Sequence, residues 1–122
     1  TGTIVAGPRG PDGAFLDGSR LLRESPPGDL VDQGNTTLCV VATDAPASQA
    51  DLYRILRMAV GAMPRRIRPV NTPFDGDVVF ALAPSETVEP LTNRSVMTLG
   101  DAGREALEEA ITRAVLQEDE DQ

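Results

Sequence analysis

Apolar positions along the chain fall into two short continuous runs and two longer stripes at helical spacing. Leu38-Cys39-Val40-Val41-Ala42-Thr43 is the first run, and its nearly unbroken apolar, β-branched character predicts a strand buried on both faces. Ala45-Pro46-Ala47 ends it. Ser48-Gln49-Ala50-Asp51 matches a helix-start capping pattern, and Leu52, Ile55, Leu56, Ala59, Val60 and Met63 then recur on one helical face. Arg54 and Arg57 lie off that stripe, and Pro64 is expected to end or kink the helix. The polar step Phe74-Asp75-Gly76-Asp77 feeds a second buried strand, Val78 to Ala83, which Pro84 stops. Leu99-Gly100-Asp101 leads into a second helix with Leu107, Ala110, Ile111, Ala114 and Val115 on one face. Strand, helix, strand, helix is therefore the predicted order, and the economical fold class is a layered α/β sandwich with helices outside and sheet inside. Two strands are too little sheet to be covered properly, which points to a partner segment.

The flanks read differently. Thr3 to Ala6 and Ala14 to Leu16 are short β-prone runs around the turn-rich Gly7-Pro8-Arg9-Gly10-Pro11-Asp12-Gly13, a pattern that predicts a ragged hairpin. Ser25-Pro26-Pro27-Gly28-Asp29 breaks regular structure, so residues up to Asn35 read as a hairpin plus an extended linker. The chain opens in a strand without an initiator Met, and an upstream part is expected. Ser85 to Thr98 reads as an irregular surface loop. Glu118 to Asp121 is an acidic tail (118–122 to the chain end), and negative charge at a helix C-terminus predicts fraying.

Composition narrows the chemistry. Net charge is -8 over 122 residues, and no basic stretch is interleaved with aromatics, which argues against a nucleic-acid partner. All eleven basic residues are arginine, so neither histidine nor lysine catalysis, nor histidine metal ligation, is available within the chain. Arg65, Arg66 and Arg68 read as a solvated helix end. Aromatics are only 3 %, so the core is aliphatic. The lone Cys39 reads as a buried, inert thiol, compatible with a reducing cytoplasm. No cofactor or metal site is expected, and no apolar run is long enough to span a bilayer.

One junction carries candidate chemistry. Gly34-Asn35-Thr36-Thr37 runs directly into the first strand. A hydroxyl at a strand start suits an N-terminal nucleophile. Once the preceding peptide bond is cut, the residue holds nucleophile and base together, because its α-amine takes the hydroxyl proton. That amine titrates near pH 8, close to working pH. The same dipeptide also reads as a turn residue followed by a good strand former, and Asp75-Gly76 equally reads as a simple turn with Asp77 solvated.

Taken together, Gly34-Asn35-Thr36-Thr37-Leu38, Val40-Val41-Ala42-Thr43-Asp44-Ala45 and the run from Arg68-Pro69-Val70-Asn71-Thr72-Pro73 through Ala83 resemble the carboxy-terminal part of the DmpA-like L-aminopeptidase/D-esterase family. The Asn-Thr-Thr junction is similar to the nylon-oligomer hydrolase branch, since other members carry Ser at the nucleophile position. The likeness extends from about Thr3 through the last helix, yet corresponds to only the final third or so of a family member. It implies an αββα sandwich and a precursor that cuts itself between Asn35 and Thr36. Residues 1–35 would then be the tail of an α polypeptide, and 36–122 a β polypeptide with Thr36 as nucleophile. It also implies that Asp75 and Asp77 sit beside the nucleophile, orienting its amine and hydroxyl. Paired acids raise one another's pKa, so one of the two is expected to stay protonated as a proton donor.

The implied activity is that of an aminopeptidase or oligoamide hydrolase acting through an acyl-enzyme on Thr36. The implied partners are the upstream α polypeptide, which brings a lysine and an asparagine, a small peptide or amide substrate, and further copies in a homo-oligomer. Two other readings stand beside it. One is an acyltransferase of the ornithine acetyltransferase type, which also cleaves before Thr. The other is a non-catalytic α/β interaction domain whose acidic tail meets a basic partner.

Overall fold

The computed structural model describes residues 2–26, 35–84 and 89–120, with side chains to residue 116. Its elements are α1 (Gly18–Glu24), β1 (Leu38–Ala42), α2 (Gln49–Ala59), α3 (Ala62–Arg66), β2 (Val78–Leu82) and α4 (Asn93–Glu120). β1 and β2 pair in parallel, with Leu38 beside Val78, Val40 beside Phe80 and Ala42 beside Leu82. The result is an α/β arrangement of alternating helices and strands in which the helices cover one face of a small parallel sheet.

Period-two alternation decides what that sheet buries. Cys39, Val41 and Val79 point to the helices and pack with Ala62, Leu107 and Ile111. A second cluster joins Ala47, Ile55 and Val96 with Leu52, Ala83, Leu91 and Leu99. The opposite face is open: Leu38 is 71 % exposed, Val40 58 %, Phe80 55 % and Leu82 57 %. Burial of both strand faces, as the apolar runs predict, is thus not met within this chain. The runs are apolar on both sides, but helices stand on only one.

Helix α2 follows its predicted cap. The Ser48 hydroxyl oxygen accepts the Asp51 N–H at 3.1 Å and donates to Asp51 Oδ2 at 3.0 Å. Asp51 Oδ2 also accepts the Leu91 N–H at 2.8 Å, tying the start of α2 to the segment that enters α4. Ile55, Ala59 and Met63 are buried as the stripe predicts, while Arg54 and Arg57 stay exposed. The helix ends before Pro64, however. Gly61 separates α2 from α3, and Pro64 lies in the first turn of α3, where a missing N–H costs nothing.

α4 corrects the loop reading of Ser85 to Thr98. Residues 85–88 lie outside the described residues, but the helix begins at Asn93 and runs for 28 residues. The Thr92 hydroxyl oxygen accepts the Ser95 N–H at 3.1 Å and starts it. Val96 and Leu107, with the half-buried Leu99, continue the apolar stripe across Gly100 and Gly103. These glycines are contact points. A Cβ on Gly100 would stand 2.6 Å from Met58 Sδ and 2.8 Å from Met58 Cβ, and one on Gly103 would stand 3.4 Å from Ala59 Cβ. Replacing Gly100 with Ala gains about 1 kcal/mol of helix propensity but overpacks the α2–α4 contact by about 1–3 kcal/mol. The expected net effect is a lower melting temperature for Gly100→Ala, and a smaller change for Gly103→Ala. The helical backbone continues through Glu120, so the acidic residues expected to fray are helical to that point.

Three further expectations are revised. Thr3 to Ala6 form no strand, and the hairpin shrinks to one antiparallel bridge, Arg9 with Phe15. Part of the stretch read as linker is α1, capped by Asp17, which accepts the Ser19 and Arg20 N–H groups; 27–34 of that linker lie outside the described residues. Arg65 and Arg66 are not merely a solvated end. They grip Glu108 of α4 at 2.7 and 2.9 Å, Arg104 joins them, and Glu108 is 5 % exposed. Burial pushes the Glu108 carboxyl up, and the Arg104 and Arg65 guanidiniums more than offset that, leaving it below the usual range.

Asp51 is held low as well, chiefly by the Leu91 N–H. A carboxyl depressed in the folded state contributes stability above its unfolded pKa and loses it as pH falls through the folded value. Thermal stability is therefore expected to be flat above about pH 5 and to fall below about pH 4. Glu108→Gln should reduce that acid loss in a melting-temperature series from pH 7 to pH 2.

Candidate active site

The junction and the acidic step meet at the point where the two strands begin. Parallel pairing extends upstream of both: Val78 N–H donates to the Thr37 carbonyl at 3.0 Å, and Gly76 N–H donates to the Asn35 carbonyl at 3.2 Å. Residues 40 apart in the chain are thereby set side by side. Thr36, between these two rungs, is exposed. Its side chain lies over Gly76, where a Cβ would stand 3.0 Å from Thr36 Oγ1 and 3.7 Å from Cγ2. Asn35, Thr36 and Gly76 thus form one contact.

The two carboxylates are at the same corner but engage backbone donors. Asp77 Oδ1 accepts the Thr37 N–H at 2.7 Å, and Oδ2 accepts the Asn71 N–H at 2.9 Å. These bonds, the Asn71 N–H foremost, hold the Asp77 carboxyl below the usual range against the upward push of burial. Asp77 thus presents both oxygens as acceptors to backbone N–H groups, the bonding pattern of a carboxylate anion. Asp75 Oδ2 accepts from the Thr72 N–H at 2.9 Å and the Thr72 hydroxyl at 2.7 Å, while Asp75 N–H donates to the Thr72 carbonyl at 3.0 Å. That closes a four-residue turn with Pro73 at its second position, a favoured arrangement. Among the described residues no hydrogen bond joins either carboxylate to Thr36.

Asn71 and Thr72 are partners that residue typing alone did not single out. Asn71 takes a left-handed φ of 55°, which Asn tolerates better than most residues, and this turns its N–H onto Asp77. Thr72-Pro73-Phe74-Asp75 has the local spacing of a side-chain-to-backbone turn, a signal present in the sequence. Cys39 is buried behind the site, as expected, and its thiol is pushed up by burial and by the Asp77 charge. In front of it, Thr36 and Thr37 line a cavity of about 900 Å³ whose apolar walls include Ile4, Val5, Leu107 and Ile111. No cluster of candidate metal ligands occurs among the described residues. No described helix is long and apolar enough to cross a membrane.

Residues 9–120 match the sequence profile of peptidase family S58. The chain belongs to peptidase family S58. The resemblance drawn from the junction and the Asp-Gly-Asp step is thereby upheld, including its oligomer-hydrolase relatives. An uncharacterised aminopeptidase of Mycobacterium tuberculosis is 38 % identical over 102 residues, covering 75 % of this chain and 30 % of the relative. One of Mycobacterium leprae is 53 % identical over 49 residues, 40 % of this chain and 14 % of that protein. A 6-aminohexanoate-oligomer endohydrolase of Paenarthrobacter ureafaciens is 32 % identical over 63 residues, 52 % of this chain and 18 % of the enzyme. The chain thus spans less than a third of the length of these relatives. No solved structure matches it.

Proposed function

We propose that this chain is the carboxy-terminal part of a self-processing amidohydrolase whose nucleophile is Thr36. The observation that carries the reading is the exposed Thr36 at the mouth of β1, with its preceding carbonyl held by Gly76 and its following N–H held by the Asp77 anion. Membership of a peptidase family and relatives named as aminopeptidases and oligomer endohydrolases support an amide substrate. Cleavage falls between Asn35 and Thr36, dividing residues 1–35, the tail of an α polypeptide, from 36–122, a β polypeptide. The freed α-amine then serves as base for the hydroxyl of its own residue, and Asp77 holds the strand start on which both sit. Asp75 keeps the approach to that corner folded. The hydroxyl attacks a small peptide or amide, an acyl-enzyme forms, and water releases it.

The open sheet face bearing Leu38, Val40, Phe80 and Leu82 supports a second layer supplied by the upstream polypeptide, which would complete an αββα sandwich. Further copies would complete a cytoplasmic homo-oligomer. The test is intact mass with N-terminal sequencing of the complete gene product. A fragment beginning at Thr36 is expected, and a product that stays whole overturns the nucleophile. Incubating the processed enzyme with an amide substrate and a competing amine then separates hydrolase from acyltransferase: release of the free acid is expected, and transfer to the amine would favour the second class.

A further inference from the structure

We infer that Gly76 is part of the self-cleavage machinery in two ways: its N–H is an oxyanion donor to the Asn35 carbonyl, and its lack of a side chain makes room for the attacking hydroxyl of Thr36. This rests on the reading of Thr36 as nucleophile and adds a group to it. A glycine between two aspartates suggests a turn that needs a left-handed residue, but the described glycines with such a φ are Gly7 and Gly13, not Gly76. Its backbone conformation therefore does not demand glycine. The three heavy atoms nearest to a Cβ there would all belong to the Thr36 side chain: Oγ1 at 3.0 Å, Cγ2 at 3.7 Å and Cβ at 4.0 Å. Space for that one side chain is the reason for glycine here.

The N–H has an equally specific target. In an acyl shift Thr36 Oγ bonds to the Asn35 carbonyl carbon, and negative charge develops on the Asn35 oxygen. That oxygen is the atom to which Gly76 N–H donates at 3.2 Å. The C–N bond then breaks, and the hydroxyl proton ends on the Thr36 nitrogen. Water hydrolyses the ester: its oxygen joins the Asn35 carboxylate and Thr36 regains its hydroxyl. The donor is anchored in the strand ladder, so it needs no reorganisation as charge builds, the condition under which such a bond lowers a barrier most.

The experiment follows the half-time of the fragment beginning at Thr36 in the complete gene product. Glycolic acid in place of Gly76 deletes the N–H without adding bulk. α-Hydroxyisovaleric acid in place of Val78 deletes the next rung, the donor to the Thr37 carbonyl, at the same structural cost. Cleavage is expected to slow about 10²- to 10³-fold for the first replacement and to change little for the second. Equal slowing of both overturns the donor role, because a loss of folding would act on the two alike. Gly76→Ala keeps the N–H and crowds the hydroxyl, and it is expected to slow cleavage by about tenfold or more. Cleavage of Gly76→Ala at the wild-type rate overturns the steric half. Thr36→Ala separates the two levels: if it is cut like wild type, the nucleophile reading itself fails, and if it stays whole while the Gly76 replacements are cut normally, only the role of Gly76 fails.

Discussion

Thr36→Ala is expected to leave the complete gene product uncut and to lower amide hydrolysis on the order of 10⁴- to 10⁶-fold, as loss of a nucleophile does elsewhere. The side chain is exposed, so its removal costs little packing, and a melting temperature near that of wild type is the expected companion result. Thr36→Ser keeps the hydroxyl and removes the methyl that restricts its rotation. It should still be cut, and more slowly. Thr37 is the control: it is bound through its own N–H and carbonyl, to Asp77 and Val78. Thr37→Ala is expected to be cut between Asn35 and Thr36. A fragment beginning at residue 37, or a Thr36→Ala protein that processes normally, would move the nucleophile elsewhere.

The second large effect is expected at Asp77. Its two carboxylate oxygens accept one N–H each, from Thr37 and from Asn71. In Asp77→Asn an amide NH₂ must replace one of those oxygens, so one donor faces another donor whichever way the side chain turns. The clamp on Thr37 or the turn at Asn71 is then lost, and the Thr36 hydroxyl loses its placement over Gly76. Misplacement on the order of 1 Å is worth about 10²-fold in rate, and slowing of that order is expected for self-cleavage by Asp77→Asn. Asp75→Asn should act less, since its bonds stay within the Thr72–Asp75 turn and its N–H still closes that turn. The comparison is read from half-times of the fragment that begins at Thr36. Equal slowing by the two variants would contradict the separate jobs of the two acids. Because Asp77 is held below the usual carboxylate range, no loss of processing attributable to it is expected as pH falls from 7 to 5.

Local chemistry made much of this legible. The Ser48 cap, the α2 stripe and both strands rest on side-chain spacing and hydrogen bonds within a few residues, whereas the two candidate stretches around Thr36 and Asp75–Asp77 stood out through the family resemblance. Helix α1 carried a local signal too, in Asp17 and the Arg20–Glu24 pair, but seven residues flanked by Gly18 and Ser25-Pro26 make a weak pattern. Other features lie between segments remote in sequence, and only the tertiary structure decided them. The packing roles of Gly100 and Gly103 do not show in the sequence because their partners, Met58 and Ala59, stand on another helix. Arg65 and Arg66 read as solvated because Glu108 reaches them from 43 residues away in the case of Arg65. The strands read as buried twice because composition reports how apolar a face is and not whether anything covers it. At the candidate site, the family resemblance pointed to Thr36, Asp75 and Asp77, whereas the bond from Thr37 N–H to Asp77 and the fit of Gly76 under the Thr36 hydroxyl depend on pairing across 40 residues. Periodicity and capping are properties of neighbours along the chain, while the placement of a nucleophile is a property of neighbours in space.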